Sequence, residues 1–179
     1  TWPQLVNHLT ADVLNRDVMP NTTLVLGETF SNPLMRALDL KGLSDTVVAL
    51  RENQAPGLRL VIDHTISTPY GSKSPMLDYP GIDAVLTAGT KAMGGHDQDI
   101  WGYVASNRIG LINTLADLQS MRGGVLGWRS AKSINRHLEG TEALFKQRCA
   151  SASEVVEFLE KHPEVEEVFH PSSARHVDS

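Results

Sequence analysis

The residue with the most chemistry to offer is Lys91, which follows the apolar run Ile82–Ala88 and precedes the pair Gly94–Gly95. A run of small and β-branched residues reads as a buried strand, so this lysine is expected at the end of a core strand. Burial disfavours an ammonium and lowers its pKa, which is how a Schiff-base lysine becomes nucleophilic. Two earlier strand-like runs also end on polar groups. Thr22–Gly27 leads into Glu28 and Asn32, and Leu58–Asp63 closes on a carboxylate. Taken singly, these residues have plainer roles: Lys91 as a strand-end lysine reaching water, Asp63 as a turn or cap residue, and Asn32–Pro33 as a turn.

The elements that must position them alternate. Leu5, Leu9, Val13 and Leu14 predict a helix over Trp2–Asp17, and Leu43, Val47, Val48 and Leu50 predict another that stops near Asn53. Ile82–Ala88 and Asp99–Ser106 read as strands, with Trp101 and Tyr103 at alternating core positions, and Ile109–Met121 as a helix. A long helical pattern from Trp128 to Lys161 breaks near Gly140, with Ile134, Leu138, Leu144, Val155, Phe158 and Leu159 expected inside; Val165–Pro171 reads as a final strand. Strands alternating with helices, and apolar on both faces, predict an α/β fold around a three-layer, mostly parallel sheet. Ligands bind such sheets at the carboxyl ends of the strands.

Composition narrows the function. With 179 residues, 41% hydrophobic and 21% charged, the chain can bury a core without disulfides or metals, and its net charge of -5 argues against nucleic acid. No run approaches the ~20 apolar residues of a bilayer span, and the N-terminus lacks signal-peptide layout, so a cytoplasmic location is expected. The single Cys149 has no partner base in the pattern, and the seven histidines lack metal-ligand spacing.

Four segments in order, Gly27–Pro33 (GETFSNP), Val61–Pro69 (VIDHTISTP), Thr87–His96 (TAGTKAMGGH) and Leu138–Thr141 (LEGT), resemble the Cys/Met-metabolism family of pyridoxal-phosphate enzymes, over about residues 24–170. That family includes cystathionine synthases and lyases, methionine lyase and homoserine sulfhydrylases. The resemblance implies the large domain of an aspartate-aminotransferase-like (fold type I) enzyme, incomplete here. Residues 1–162 would be the C-terminal part of the cofactor-binding domain, and 163–179 the start of the link into a small C-terminal domain.

By the same resemblance, Lys91 carries the cofactor as an internal aldimine, and its freed amine then moves protons as base and acid. Asp63 matches the partner of the pyridine nitrogen. A carboxylate in contact would favour the pyridinium by ~4 kcal/mol at an effective dielectric near 20. Asn32 matches the amide that bonds the phenolic oxygen, Thr65 the small residue under the ring, and Thr90 a hydroxyl on the phosphate. Two positions depart from the pattern: Ala88 stands where the family usually has serine, and His64 where it commonly has asparagine. The implied reaction is elimination or replacement at Cβ or Cγ of a sulfur-containing amino acid, carbon–sulfur lyase chemistry preferred over synthase or sulfhydrylase transfer. The resemblance also implies a homo-oligomer, or a complementing chain portion, without which this piece alone is not expected to turn over. The alternative is a catalytically silent or split-enzyme piece acting as a scaffold.

Overall fold

Leu24–Glu28, Arg59–Asp63 and Ile82–Thr87 become strands β1, β2 and β3, whose β-branched and leucine side chains favour a pleated, half-buried surface. In the computed structural model, which describes residues 8–93 and 99–173, they lie side by side and parallel. The fourth strand, β4 (Tyr103–Ala105), is antiparallel to β3, giving the order β1-β2-β3-β4. Register decides the geometry of the site. Glu28 pairs with Asp63, and Asp63 pairs with Leu86, so three carboxyl ends stop level with one another.

Helices α1 (Ala11–Asp17) and α2 (Leu40–Asn53) cover one face. Their starts are fixed by side-chain caps: Thr10 accepts the Val13 N–H at 3.2 Å and Asp39 accepts the Gly42 N–H at 2.9 Å. Leu14, Leu43, Val47 and Leu50 from the helices meet Leu60, Ile62 and Val85 from the sheet in one buried cluster. Each such side chain stabilises the fold by about 2 kcal/mol of burial. On the opposite face, α3 (Ile109–Arg122) lies across a cavity of about 660 Å³ from Leu86 and Val104, which completes three layers. Helices α4 (Trp128–Leu138) and α5 (Thr141–Glu160) follow, divided at Glu139–Gly140 as the sequence predicts.

At the amino end of β3, Asp83 organises the sheet. Its carboxylate is buried and pairs with Arg51 and, at 2.7 Å, with Arg108. It also accepts the Leu60 N–H at 2.8 Å, while Arg51 donates to the Leu58 and Gly81 carbonyls at 3.0 Å. A charge inside an apolar strand is thereby satisfied from every side, the condition for tolerating it there.

Several sequence expectations are corrected. Lys91 is neither buried nor at a strand end: β3 stops at Thr87, and Lys91 sits exposed in a turn, its N–H donating to the Ala88 carbonyl at 3.2 Å. The ladder ends because Thr90 turns aside to bond the backbone of Trp101. The strand expected over Asp99–Ser106 shrinks to three residues, leaving Trp101 outside it and only part-buried. Val165–Pro171 forms no strand, because none of its backbone pairs with the sheet. In α5 the inward stripe is Ala152, Val156 and Leu159, so Val155 and Phe158 face outward. The first helix covers Ala11–Asp17: residues 8–10 of the expected span are not helical, since the Thr10 side chain caps the helix there, while residues 2–7, and Gly94–Gly95 with His96, lie outside the described residues.

Candidate active site

The level carboxyl ends of β1, β2 and β3 open into one cavity of about 900 Å³. All five residues singled out from the sequence, Asn32, Asp63, Thr65, Thr90 and Lys91, line it. They come from three segments separated by more than twenty residues each, so only the sheet brings them together.

Each is held by local bonding. The Asp63 side chain accepts the Thr65 N–H at 2.9 Å, a short turn that fixes one carboxylate oxygen. Thr65 in turn accepts the Ala88 N–H at 2.9 Å, tying the end of β2 to the end of β3. The loop after β1 is closed by a Phe30–Ala37 bridge and by Ser31 N–H donating to the Arg36 carbonyl at 2.9 Å. That closure presents Asn32, whose side of the loop is exposed, to the cavity.

Thr90 is placed differently from a free phosphate donor. Its hydroxyl donates to the Trp101 carbonyl at 3.1 Å and accepts the Trp101 N–H at 2.9 Å. A hydroxyl has one proton, and here that proton already has an acceptor. The neighbouring turn depends on Gly89: a Cβ there would lie 2.2 Å from the Trp101 ring. Ala88, exposed at the cavity wall, brings no hydroxyl.

Behind the wall lies His64, 2% exposed. Desolvation pulls its imidazole down to about 4, opposed by the charge of Asp63, so the ring is neutral at neutral pH. Nδ1 lies 3.3 Å from the Thr29 hydroxyl, to which Ser67 also donates at 3.2 Å, and Nε2 has no hydrogen-bond partner among the described residues. This small polar cluster joins the β1 and β2 ends, since Thr29 N–H donates to the Asp63 carbonyl at 3.0 Å.

Arg148, on α5, also lines the cavity. The signal was spacing. Phe145, one turn earlier on α5, contacts the Tyr70 ring at 6.4 Å, and Tyr70 belongs to the loop that follows Asp63. Glu28 and Thr29, at the end of β1, complete the polar lining. The assembled groups are an amine, two carboxylates, an amide, hydroxyls and a guanidinium around one open space.

Residues 3–179 match the family model described as Cys/Met metabolism PLP-dependent enzyme. The chain is 34% identical over 171 residues to an L-methionine gamma-lyase of Fusobacterium nucleatum, covering 92% of this chain and 40% of that protein. It is 31% identical to a cystathionine beta-lyase of Staphylococcus haemolyticus, covering 94% of this chain and 41% of that one. Among solved structures, yeast cystathionine gamma-lyase superposes with a TM-score of 0.81 at 29% identity, over 94% of this chain and 42% of the other. The chain thus spans about two fifths of the relatives it matches.

Proposed function

The chain belongs to the Cys/Met metabolism PLP-dependent enzyme family, and from that premise we propose that it carries the cofactor site of a carbon–sulfur lyase acting on a sulfur-containing amino acid. The observation that carries this reading is the convergence of Lys91, Asp63, Asn32, Thr65 and Thr90 on one cavity. The donor set fits pyridoxal phosphate: an amine for its aldehyde, a carboxylate for its ring nitrogen and an amide for its phenolic oxygen. When bound, that group supplies an electron sink for the pair released at Cα.

The chain's own residues supply the rest. Lys91, exposed on its turn and lining the cavity, would hold the group through its aldehyde, and its amine would serve as the base for the proton at Cα. The same amine returns that proton to a neighbouring carbon or to the departing sulfur. Asp63, steadied by Thr65 N–H, keeps a proton on the ring nitrogen, and the Thr65 side chain supports the ring face. In the Ala88–Lys91 turn the N–H groups of Ala88, Thr90 and Lys91 already donate within the chain, so the turn would offer the phosphate the Gly89 N–H, and the Thr90 hydroxyl only if it gives up Trp101. Replacement by an incoming thiol, as in the synthases and sulfhydrylases, uses the same groups. A homo-oligomer with shared sites is part of this reading.

The test is an absorbance titration of the full-length protein with pyridoxal phosphate, then borohydride reduction and peptide mapping. Label on Lys91, lost in Lys91→Ala, supports the reading. A full-length protein that binds nothing, or is labelled elsewhere, points instead to a silent scaffold.

A further inference from the structure

His64 ties together three elements that meet behind the cavity. It is 2% exposed, and Thr29 and Ser67, with which its side chain clusters, are 5% exposed each. Its N–H donates to the Leu86 carbonyl of β3 at 2.8 Å, and its carbonyl accepts the Thr68 N–H at 2.9 Å. Nδ1 meets the hydroxyl of Thr29, just past the end of β1, at 3.3 Å. Thr29 in turn grips Asp63: its N–H donates to the Asp63 carbonyl at 3.0 Å, and its hydroxyl approaches the same oxygen at 3.4 Å.

Proton counting fixes the roles in this set, all of whose members are described residues. The Thr29 hydroxyl has one proton of its own and accepts from Ser67 at 3.2 Å. Were Nδ1 bare, that one proton would have to serve both the imidazole and the Asp63 carbonyl. With a proton on Nδ1, His64 donates to Thr29, Thr29 donates to Asp63, and all three contacts hold at once. Burial keeps the ring in such a neutral form. A second observation concerns Thr68, which is bonded to the His64 carbonyl, wholly buried and held at φ 54°. A β-branched residue keeps that left-handed backbone only where its surroundings over-determine it, and such strain collects at functional sites.

We propose that His64 is a positioning residue for the cofactor's ring nitrogen: through Thr29 it fixes the Asp63 main chain, and so where the Asp63 carboxylate stands in the cavity. The inference rests on the cofactor reading above. The test compares pyridoxal phosphate with its deaza analogue, in which C–H replaces the ring nitrogen. The ratio of the two affinities isolates the Asp63 contact, because the other interactions are shared. Full-length wild type, His64→Leu, His64→Asn, Thr29→Val and Asp83→Asn are titrated by absorbance, each first shown by urea denaturation to be folded. Wild type is expected to prefer pyridoxal phosphate. In His64→Leu and Thr29→Val that preference falls about fivefold or more. His64→Asn, whose amide nitrogen can stand where Nδ1 does, keeps it within about twofold, and so does Asp83→Asn, destabilised at the other end of β3. A preference within about twofold of wild type in both His64→Leu and Thr29→Val overturns the positioning role, even if both affinities fall together. Should His64→Leu fail to fold, Thr29→Val decides alone. An Asn variant as impaired as the Leu variant overturns the bond to Thr29 as the route. A wild type that binds both cofactors equally overturns the Asp63 contact on which the inference rests, and one that binds neither overturns the cofactor reading itself.

Discussion

The Thr65 hydroxyl accepts the Ala88 N–H at 2.9 Å, joining two strand ends that are 23 residues apart in the chain. Through Thr65 N–H, the same residue also holds the Asp63 carboxylate. One side chain and its backbone therefore set both the floor of the cavity and the distance between its acid and the turn bearing Lys91.

Thr65→Val keeps the shape and removes the acceptor, so the Ala88 N–H loses its partner. Stability is expected to fall by about 1 kcal/mol, because the N–H can recruit water in the bond's place. Affinity for pyridoxal phosphate should fall several-fold, since the cavity floor loosens. Thr65→Ser retains the oxygen and should keep both properties near wild type. Urea denaturation read beside a cofactor titration distinguishes the three proteins.

Asp83 makes a contrasting prediction. Its carboxylate is 2% exposed and faces Arg51, Arg108 and, at 3.9 Å, Arg59, at the end of β3 away from the cavity. Asp83→Asn leaves the part-buried Arg51 without its counter-charge and should cost about 3 kcal/mol. The loss belongs to folding and not to the site. Below the unfolding transition the variant should bind pyridoxal phosphate as wild type does, whereas a parallel loss of affinity would contradict this separation.

His64 ties stability to pH. In the unfolded chain its imidazole takes up a proton near its ordinary value of 6.5, whereas in the fold burial delays uptake to about 4. Between those values the unfolded state binds more protons, so stability falls as pH falls. The contribution is fully present above 6.5 and declines toward pH 4, by up to about 3 kcal/mol at 1.36 kcal/mol per unit. Urea midpoints at pH 7.5, 5.5 and 4.5 should drop more steeply for wild type than for His64→Asn, which has nothing to titrate there. Equal slopes for the two proteins would sink this account.

What the sequence determined by itself was local. Apolar runs and their period placed β1, β2, β3, α2 and α3 and the break at Gly140, because burial and backbone preference act over a few neighbouring residues. It also marked the polar groups after the strands, Asn32, Asp63 and Thr65, whereas Lys91, expected at a strand end, stands in a turn beyond β3. Tertiary structure decided what depends on partners distant in the chain. The Val165–Pro171 segment has strand composition but no ladder to join, so it stays irregular. Thr90 has the residue type for a phosphate contact, yet Trp101, eleven residues on, holds its proton. Asp83 reads as a flaw in an apolar strand until Arg51 and Arg108 meet it. Arg148 reads as solvated surface until the Tyr70–Phe145 contact turns that side of α5 over the cavity. A hydrogen bond or charge pair is specified by where two segments meet, and no local pattern of hydropathy carries that information.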